Sequence, residues 1–549
     1  MKIVIIGGVA GGATTAARLR RLDEKAEIII IDKGNHISFA NCGLPYYIGD
    51  VIKDKDDLLL QTPESFKQRF NIDVRIRQKV LKINKEEKKV LVEKKDGKEQ
   101  YEETYDKLII STGAEPINHV DFLEGNERVK TLRTIEDAQS IKQHIKSGNV
   151  KDVVIVGGGY IGVEMAENLR NYEDLNITIV QSNDHLIGPL DKDMACFVHR
   201  ELRKNGINII LNNGLSEIEQ DGDKLNVILD NGELKADFVI LSIGVKPEGV
   251  IGLVSGLTVR YNGAIDVNEY LQTKNKDIYA IGDVIITENT VTGYSNYTPL
   301  AGPANRQARI VANNIAGKIN PYEGSIGSSI IKIFDYSLAM TGLNGKMCQE
   351  KHLSASSIII SPNSHASYYP GSTPILIKCW YNRGNGQIYG AQVWGKEGVD
   401  KICDILAVAV KMKMTAYDLE KLELCYAPPY SSAKSPINIL GNSIVNNIEK
   451  LVRTVTWQEV EDLKKREKYL ILDVRTEEEY ERGHIENSIH IPLDDLRKRL
   501  NELDKSKKYL IYCRTGLRSY LACRILMQNG FDVYNITGGY SFYKVISKN

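Results

Sequence analysis

Cys42 lies alone in the segment SFANCGLPYY, residues 38–47, with no second cysteine four or five positions downstream. Cys42 therefore cannot form the local disulfide of a dithiol reductase, and its thiol must pair with a partner that arrives, such as a substrate sulfur, a peroxide or a small thiol. The Gly-Leu-Pro that follows can begin a helix, and a helix N-terminus lowers the pKa of a thiol. The segment predicts a reactive cysteine whose partner lies outside its own motif.

Cys513 is the second cysteine whose surroundings point to chemistry. It begins the loop CRTGLRS after the apolar run 509–512, and a helical segment follows. Such a strand-to-helix turn aims backbone N–H groups at the sulfur, and Arg514 and Arg518 add two guanidiniums, which together stabilise a thiolate or an anionic persulfide. The loop is one residue shorter than the related phosphatase loop, Cys-x5-Arg, which favours sulfur over phosphate as the ligand. Cys523, on the following helix, is predicted to be packed core.

Composition and cysteine pattern restrict the class of protein. The 549 residues allow three or four domains, and 71 Lys plus Arg against 71 Asp plus Glu favour neither a nucleic-acid nor a membrane partner. The eight cysteines show no CxxC pair and no zinc spacing, so we expect no metal and a reducing, cytoplasmic location. No apolar run approaches the ~20 residues of a membrane helix, and the first residues reach Gly7 too soon for a signal peptide.

The elements that position Cys42 begin with a βαβ unit typical of dinucleotide binding. The apolar run 3–6 predicts a buried strand, the turn GGVAGG opens a helix, and the run 28–31 predicts a second strand that ends in an acid. An acid about 20 residues after such a turn holds a ribose hydroxyl. Val9 replaces the middle glycine of GxGxxG, so the strict motif is not met. The predicted contacts to this dinucleotide are Gly7, Gly8, Ala10, Gly11, Gly12, Asp32 and Lys33.

A second unit repeats this pattern later in the chain. The run 153–156 leads into GGGYIG, a complete GxGxxG, and the run 177–180 closes the unit. Gln181 stands where the ribose-binding acid is expected; its amide can bond a 2′-hydroxyl without repelling a 2′-phosphate, and no arginine follows at 182–185. We predict that NADH is used and NADPH tolerated. The predicted NAD(P) contacts are Gly157, Gly159, Tyr160, Ile161, Gly162, Gln181 and Gly244.

The stretch IYAIGDV, residues 278–284, indicates a flavin. A strand that delivers Gly-Asp places a carboxylate where a flavin ribityl hydroxyl could lie, and after two dinucleotide units this predicts FAD in the first of them. A Thr-Gly turn after the run 107–110 and a helix that would face the isoalloxazine supply further contacts. These predicted FAD contacts are Thr112, Gly113, Asp283, Pro299 and Ala301.

On these motifs, residues 1–447 resemble the flavoprotein disulfide reductases that bind two dinucleotides, and the Cys42 segment resembles the coenzyme A-disulfide reductases. The segments DVR (residues 473–475), GHI (483–485) and CRTGLRS (513–519) together resemble a single rhodanese domain. The resemblance implies an α/β fold with two doubly wound dinucleotide-binding domains, an α+β dimerisation domain and a C-terminal α/β rhodanese domain. The expected order is FAD domain 1–115, NAD(P) domain 116–250, FAD domain again 251–325, dimerisation domain 326–447, linker 448–455 and rhodanese domain 456–549.

The same resemblance implies roles that the motifs alone leave open. The segments SYYPG (residues 367–371) and CYAPPYSSAK (425–434) match the coenzyme A-disulfide reductases. The match implies a homodimer in which Tyr368 and Tyr426 reach the partner subunit's Cys42. Coenzyme A is implied as a bound ligand or as a mixed disulfide with Cys42. Arg18 and Arg21 suit its phosphate groups, although a solvated helix face explains them equally well. The predicted substrate contacts are Thr14, Arg18, Arg21, Ser38, Asn41, Asn305, Lys434, Arg514 and Arg518.

The predicted function is an NAD(P)H-dependent flavoprotein reductase of coenzyme A persulfide, other low-molecular-weight persulfides or polysulfide. Hydride passes to FAD, which reduces a mixed disulfide of Cys42, and a tyrosine hydroxyl assists the departing thiolate. Cys513 carries sulfane sulfur, for which a plain disulfide reductase has no need. Three alternatives stay open: coenzyme A-disulfide reduction as the main activity, an NADH oxidase or peroxidase that cycles Cys42 through a sulfenic acid, and a non-catalytic redox sensor.

Overall fold

In the computed structural model the chain divides into two compact units, Met1–Asp184 with Gly206–Gly327 and His185–Asn205 with Ser328–Asn549. The structure describes residues 1–94, 97, 99–118, 126–466 and 468–548. No helix in this described part of the chain has both the length and the apolar character needed to cross a membrane.

The first unit opens with a parallel sheet and a separate antiparallel sheet. Its elements are β1 (Lys2–Ile6), α1 (Ala10–Leu22), β2 (Glu27–Ile31), α2 (Leu44–Ile48), α3 (Pro63–Phe70), β3 (Asp73–Arg75), β4 (Gln78–Asn84), β5 (Lys89–Lys94), β6 (Gln100–Thr104), β7 (Lys107–Ile110) and β8 (Ala114–Pro116). β1 pairs in parallel with β2 and β7, and β3 extends the sheet beyond β2. Parallel strands are buried on both faces, so continuous apolar runs specify them.

A second nucleotide fold follows β8. Its elements are β9 (Val129–Thr131), α4 (Ile135–Lys146), β10 (Asp152–Val156), α5 (Tyr160–Leu169), β11 (Asn176–Val180), β12 (Ile207–Ile210), β13 (Leu215–Asp221), β14 (Lys224–Leu229), β15 (Glu233–Ala236), β16 (Phe238–Leu241) and β17 (Val245–Pro247). α6 (Lys192–Lys204), between β11 and β12 in the chain, belongs to the second unit. Its parallel sheet has the order β12-β11-β10-β16-β9. β17 pairs antiparallel with β8, so the chain leaves and re-enters the first fold through two adjacent strands.

The return of the chain completes the first nucleotide fold. The returning elements are α7 (Val250–Val254), β18 (Ile278–Ala280), β19 (Thr287–Glu288), β20 (Ser295–Asn296) and α8 (Ala301–Ile315). β18 joins the free edge of β7, giving the order β18-β7-β1-β2-β3. α8 packs along α1, which places a late segment of the chain beside the first glycine turn.

The second unit contains an antiparallel sheet followed by a parallel one. The antiparallel part has β21 (Ser329–Ile333), β22 (Tyr336–Gly342), α9 (Gly345–Glu350), β23 (Ala355–Ile360), β24 (Leu376–Asn382), β25 (Ile388–Gly395), α10 (Val399–Lys411), α11 (Ala416–Leu419) and α12 (Pro436–Ile448). Its strand order is β21-β22-β25-β24-β23, and α10 packs against β22 and β25. This mixture of helices on an antiparallel sheet is the predicted α+β part.

The C-terminal part alternates strands and helices. Its elements are β26 (Thr454–Val455), α13 (Trp457–Arg466), β27 (Tyr469–Asp473), α14 (Glu477–Glu481), β28 (Ile489–His490), α15 (Leu493–Leu496), β29 (Lys508–Tyr512), α16 (Leu517–Gln528), β30 (Asp532–Ile536) and α17 (Gly539–Ile546). The parallel sheet has the order β26-β30-β29-β27-β28. β26 and the buried Val452 belong to this fold, so residues predicted as a linker, 448–455, contribute a strand and a core side chain.

Candidate active sites

Cys42 lies in a 3-10 turn, Asn41–Gly43, that runs directly into α2. Pro45 stands in the first turn of α2, where its missing N–H costs no helical hydrogen bond. Leu44 and Ile48 are buried, whereas Cys42 is exposed. The helix predicted after the cysteine is confirmed, and it leaves the thiol on the open side.

The prediction that this helix lowers the pKa of the thiol is wrong. Burial among protein atoms raises the pKa of Cys42, Glu164 and Asp283 act in the same direction, and Arg133 opposes them. α2 has only five residues, and so short a helix contributes little of the N-terminal charge that stabilises a thiolate. Although solvent reaches the residue, surrounding protein atoms and two carboxyl groups determine its pKa.

Arg133 is a residue of this site that sequence reasoning missed. With the Asn41 amide turned so that its oxygen faces the guanidinium, Arg133 Nη1 donates to that oxygen and the Arg133 carbonyl accepts from the amide nitrogen, both at 3.0 Å. Arg133 Nη2 also lies 3.6 Å from Asp283. Arg133 precedes the capping box that begins α4, which marks a helix start and nothing more. One guanidinium thus joins the Cys42 turn to a predicted flavin contact.

The first glycine turn has the contacts expected of a phosphate cradle. Gly7 has φ +95°, and a Cβ there would lie 2.2 Å from the Ser111 carbonyl oxygen. A Cβ on Gly12 would lie 1.8 Å from the Gly7 carbonyl oxygen, so both positions require glycine. Val9 has a negative φ of −90°, so the middle position of this turn does not need the left-handed backbone that favours glycine. The turn delivers Ala10 and Gly11 to the N-terminus of α1, where backbone N–H groups favour an anion.

Asp32 is held in the position predicted for a ribose-binding acid. Its carboxylate accepts the backbone N–H of Gly8 and of Gly34, each at 2.7 Å. Lys33 forms an ion pair with Glu248. Asp32 follows the last residue of β2, so the end of this strand holds a carboxylate in a fixed position beside the glycine turn, as dinucleotide binding requires.

The flavin contacts predicted from separate segments meet at one end of the first sheet. Asp283 follows β18 in a 3-10 turn, and burial raises its pKa while Arg133 opposes that shift. The Gly282 N–H donates to Gln307 Oε1 on α8 at 2.7 Å. After β7, the Thr112 hydroxyl donates to the Glu248 carbonyl, and Gly113 has φ +78°. Pro299 lies two residues before Ala301, the first residue of α8.

The second glycine turn repeats the geometry of the first. Gly157 has φ +102°, a Cβ there would lie 2.3 Å from the Ser242 carbonyl oxygen, and one on Gly162 would lie 2.0 Å from the Gly157 oxygen. A Cβ on Gly159 would meet nothing within 4 Å, so the protein itself leaves open space there. Gln181 Oε1 accepts the Gly158 N–H at 2.9 Å. Tyr160 and Ile161 begin α5, and Gly244 has φ +120°.

Four predicted substrate contacts lie on or beside α1 and α8. The Thr14 hydroxyl donates to Asn305 Oδ1 at 2.7 Å. Arg18 donates twice to Asn313, and its pKa is lowered by desolvation and by the positive charges of Arg309 and Arg21. Three guanidiniums therefore share this surface, and Arg309 is a member that the sequence did not single out.

The remaining predicted contacts are divided between the two units. In the first unit, Ser38 has φ +47° and its N–H donates to the Gly8 carbonyl at 2.8 Å. In the second unit, the hydroxyls of Tyr368 and Tyr426 lie 3.0 Å apart on exposed side chains, and Lys434 is exposed. The two tyrosines, far apart in sequence, therefore form one exposed hydroxyl pair.

Cys513 lies at the end of β29 with 1% of its surface exposed. Its Sγ accepts the Gly516 N–H at 3.1 Å. The Ser519 hydroxyl lies 3.4 Å from Sγ and 3.0 Å from the Gly516 carbonyl oxygen, so it can donate to either acceptor. Gly539 backs the loop, because a Cβ there would lie 2.6 Å from the Cys513 carbonyl oxygen. Ser519 is a donor that sequence reasoning missed, and Cys523 is fully buried in the core, as predicted.

The two arginines of the Cys513 loop differ in their surroundings. Arg518 donates to both carboxylate oxygens of Glu479, at 2.7 and 2.8 Å, and this pairing lowers the pKa of Glu479 to about 2. Arg514 is exposed. The charge of Arg518 is therefore already paired with Glu479, whereas the guanidinium of Arg514 is exposed and accessible to anions in solution.

Comparison with known proteins shows the class to which this fold and these sites belong. The family described as pyridine nucleotide-disulphide oxidoreductase matches residues 1–308, its dimerisation domain matches 328–435, and the rhodanese-like domain matches 456–545. The chain belongs to the pyridine nucleotide-disulphide oxidoreductase family and carries a rhodanese domain. The predicted fold class and the prediction of an enzyme are confirmed.

Individual relatives cover most or all of the chain. The coenzyme A disulfide reductase of Staphylococcus aureus (strain bovine RF122 / ET3-1) is 38% identical over 442 residues, 80% of this chain and 99% of that protein. The crystal structure of reduced Bacillus anthracis CoADR-RHD has 43% identity and a TM-score of 0.96 over 100% of this chain and 98% of that one. A NAD-dependent persulfide reductase from A. fulgidus has 35% identity and a TM-score of 0.92 over 99% of this chain and 100% of that one.

FAD and NAD(P)H are the cofactors of this family, and the residues present fit them. Each glycine turn leads into a helix N-terminus, where backbone N–H groups favour a pyrophosphate, and Asp32 and Gln181, the predicted ribose contacts, each accept a backbone N–H of such a turn. Asp283 and the start of α8 complete the predicted FAD contacts.

Proposed function

We propose that this enzyme reduces coenzyme A persulfide, other low-molecular-weight persulfides or polysulfide with NAD(P)H, through a mixed disulfide at Cys42. The observation that carries the proposal is the Cys513 loop, which directs a backbone N–H and a hydroxyl at one buried sulfur in the same chain. A persulfide reductase has a use for such a sulfane-sulfur carrier, whereas a plain disulfide reductase has none. The likeness to a protein named as a persulfide reductase supports the same choice.

In this proposal Cys42 is the nucleophile. When bound, FAD and NAD(P)H supply two electrons as a hydride equivalent. The exposed Cys42 sulfur attacks the incoming substrate and holds one half of it as a mixed disulfide. Arg133 is the nearby cation that offsets the raised pKa of the thiol, and its bonds to Asn41 orient the turn that carries Cys42.

Coenzyme A is proposed to bind where α1 and α8 meet. Guanidiniums suit phosphate groups, and Arg18, Arg21 and Arg309 are close enough to influence one another. Thr14 and Asn305 form a hydrogen bond with each other on this surface. Ser38 and Asn41, which shortly precede Cys42 in the sequence, are proposed as further contacts. The named activity of the S. aureus relative supports this ligand.

A homodimer is proposed to complete the site. Residues 328–435 match the family's dimerisation domain. The exposed Tyr368 and Tyr426 hydroxyls share a hydrogen bond, and the resemblance assigns them to the partner subunit's Cys42, where a hydroxyl can protonate a departing thiolate. Lys434, from the same matched segment, is proposed as a further coenzyme A contact.

Coenzyme A-disulfide reduction is the second candidate. The S. aureus relative matches 80% of this chain, and a coenzyme A disulfide and a coenzyme A persulfide would present the same ligand to the α1–α8 surface. The two candidates differ only in the sulfur that leaves when Cys42 attacks.

Anaerobic turnover across sulfur substrates separates these functions. NAD(P)H consumption and sulfide release are to be measured with coenzyme A persulfide, polysulfide and coenzyme A disulfide, with NADH and NADPH in parallel. We expect the highest kcat/KM with a persulfide or polysulfide and with NADH; a kcat/KM about tenfold higher with NADPH would contradict the interpretation of Gln181. A higher kcat/KM for coenzyme A disulfide would favour the second candidate. Hydrogen peroxide as the best substrate would indicate a peroxidase, and near-zero turnover on every sulfur substrate a sensor.

A further inference from the structure

Among the residues that the structure describes, three hydrogen-bond donors lie within reach of the Gly516 carbonyl, in the loop that begins with Cys513. The Tyr520 N–H donates to this oxygen at 3.1 Å, at the start of α16. The Ser519 hydroxyl lies 3.0 Å from the same oxygen, and the Asn535 amide nitrogen lies 3.3 Å from it. A carbonyl oxygen has two lone pairs, so these three donors compete for two positions.

The Ser519 hydroxyl differs from the other donors because the Cys513 sulfur is a second acceptor for it. The hydroxyl oxygen lies 3.4 Å from Sγ, and a hydroxyl carries one proton, so it bonds either the sulfur or the carbonyl. The Tyr520 N–H is fixed in the helix and cannot change its acceptor. The donor that takes the second lone pair of the carbonyl therefore decides where the hydroxyl proton lies.

Asn535 lies on β30, and stability alone does not account for an amide at this position. The residue has 6% of its surface exposed. Its Oδ1 atom is buried and has no hydrogen-bond partner within the described part of the chain. A buried polar atom without a partner destabilises a fold, so an apolar side chain would suit the position better. What the amide does provide is an N–H directed at the Gly516 carbonyl.

We propose that Asn535 occupies the second lone pair of the Gly516 carbonyl and thereby leaves the Ser519 hydroxyl free to donate to the Cys513 sulfur. Asn535 is a positioning residue in this scheme, because it acts on the sulfur only through Ser519. The inference rests on the proposed function, in which Cys513 carries sulfane sulfur. It adds to that function a residue that the sequence motifs of the loop do not include.

The hydroxyl matters most when the carried sulfur is passed on. An acceptor such as cyanide attacks the outer sulfur of Cys513–S–S⁻, the S–S bond breaks, thiocyanate leaves, and the electron pair of the broken bond stays on Sγ. Two negative charges enter the step and two leave it, so no proton, oxidant or reductant is needed. Negative charge grows on Sγ during this release, and a donor directed at Sγ stabilises it. During uptake from thiosulfate Sγ loses charge instead, so the same donor assists that step less.

The test measures release and uptake separately in the full-length, FAD-loaded enzyme. Cys513 is loaded with thiosulfate, freed of excess donor and mixed with cyanide, and the persulfide on its peptide is followed by mass spectrometry. Ser519→Ala should slow release about fivefold, and Asn535→Leu, which removes the donor and retains most of the volume, about threefold. The double variant should release sulfur about as fast as Ser519→Ala alone, because Asn535 acts through that hydroxyl. Uptake from thiosulfate should change less in all three variants.

Thr537→Val is the matched control, because it removes another buried hydroxyl that lies 3.3 Å from a backbone carbonyl in the same domain; release should keep the wild-type rate. Asn535→Ala removes the same donor with a smaller side chain and should give the same order of rates. Release about fifteenfold slower in the double variant would show independent effects and overturn the inference.

Two further outcomes would overturn the inference as well: wild-type release in both Asn535 variants, or equal slowing of uptake and release, which indicates general damage to the loop. Release that survives Cys513→Ser would instead overturn the role that the proposed function gives to Cys513. The two failures are therefore distinguishable.

Discussion

Cys42 and Cys513 are two cysteines with proposed chemistry in opposite surroundings. Cys42 is exposed and precedes a helix of five residues, whereas Cys513 is 1% exposed and lies four residues before a helix of 12. Burial among protein atoms raises the pKa of Cys42, and charged groups from distant segments act on it as well, with Glu164 and Asp283 raising it and Arg133 lowering it. The Cys513 sulfur instead faces two hydrogen-bond donors from its own loop and helix.

The difference shows how one chain can hold two kinds of sulfur chemistry. A thiol that receives substrates of different size has to be exposed, so its charge depends on groups placed around an open site. A sulfur that carries a sulfane atom benefits from donors directed at it, which a single strand–loop–helix segment can provide. The two cysteines should therefore respond separately to substitution.

Cys42→Ser is expected to have the largest effect. Without a thiol no mixed disulfide forms, so NADH-driven reduction of every sulfur substrate should fall at least about a thousandfold. FAD content and reduction of bound FAD by NADH under anaerobic conditions should be retained. Cys425→Ser, which removes another exposed thiol, is the control and should keep its activity. Reduction at a tenth of the wild-type rate or more would show that Cys42 is not the redox centre.

Cys513→Ser should separate the two sites. Thiosulfate sulfurtransferase activity should fall about a thousandfold, because the acceptor sulfur is gone. Reduction of coenzyme A persulfide should continue largely intact, while reduction of a protein persulfide too large for the Cys42 site should fall further. Both rates are to be measured in one preparation. Unchanged sulfur transfer would exclude Cys513 as the carrier, and loss of both rates with normal FAD content would mean that the two cysteines act in obligatory series.

Ser519→Ala should produce the smallest of these effects. It removes one of the two donors that face the Cys513 sulfur, a hydrogen bond worth about 1 kcal/mol, so sulfurtransferase activity should fall roughly fivefold. Coenzyme A persulfide reduction should not change. Ser541→Ala, at an exposed serine of the same domain, is the matched control. Equal losses in both variants would show that the hydroxyl does not act on the sulfur.

Much of the fold could be predicted because its parallel strands are buried on both faces and its turns admit only glycine. The runs 3–6 and 153–156 are continuous and apolar, and they form β1 and β10. Gly7 and Gly157 leave less than 3 Å between a would-be Cβ and a carbonyl oxygen, so these turns are visible in the sequence. The Cys513 loop can also be predicted, because the groups that donate to its sulfur belong to residues close to it in the chain.

The surroundings of Cys42 could not be predicted in the same way. Arg133 lies beside a helix cap, which in the sequence marks only the start of a helix. Glu164 lies in the helix that the second glycine turn already predicts. Neither residue therefore has a sequence pattern of its own that would assign it to the Cys42 site. The expectation of a lowered pKa considered only the helix that follows Cys42. Desolvation and opposing charges outweigh that local effect, and both depend on segments that the crossovers bring together.

The sequence by itself determined the two nucleotide folds, the positions of the two cysteines and the loop that surrounds Cys513, because each depends on residues close together in the chain. Only the tertiary structure decided the charge at Cys42. The Cys42 turn contacts Arg133 from the start of α4. Glu164 from α5 and Asp283 from the returning chain act on the pKa of the thiol through their charge. Electrostatic interaction falls with distance in space rather than along the sequence, so only the folded chain sets the protonation of this thiol.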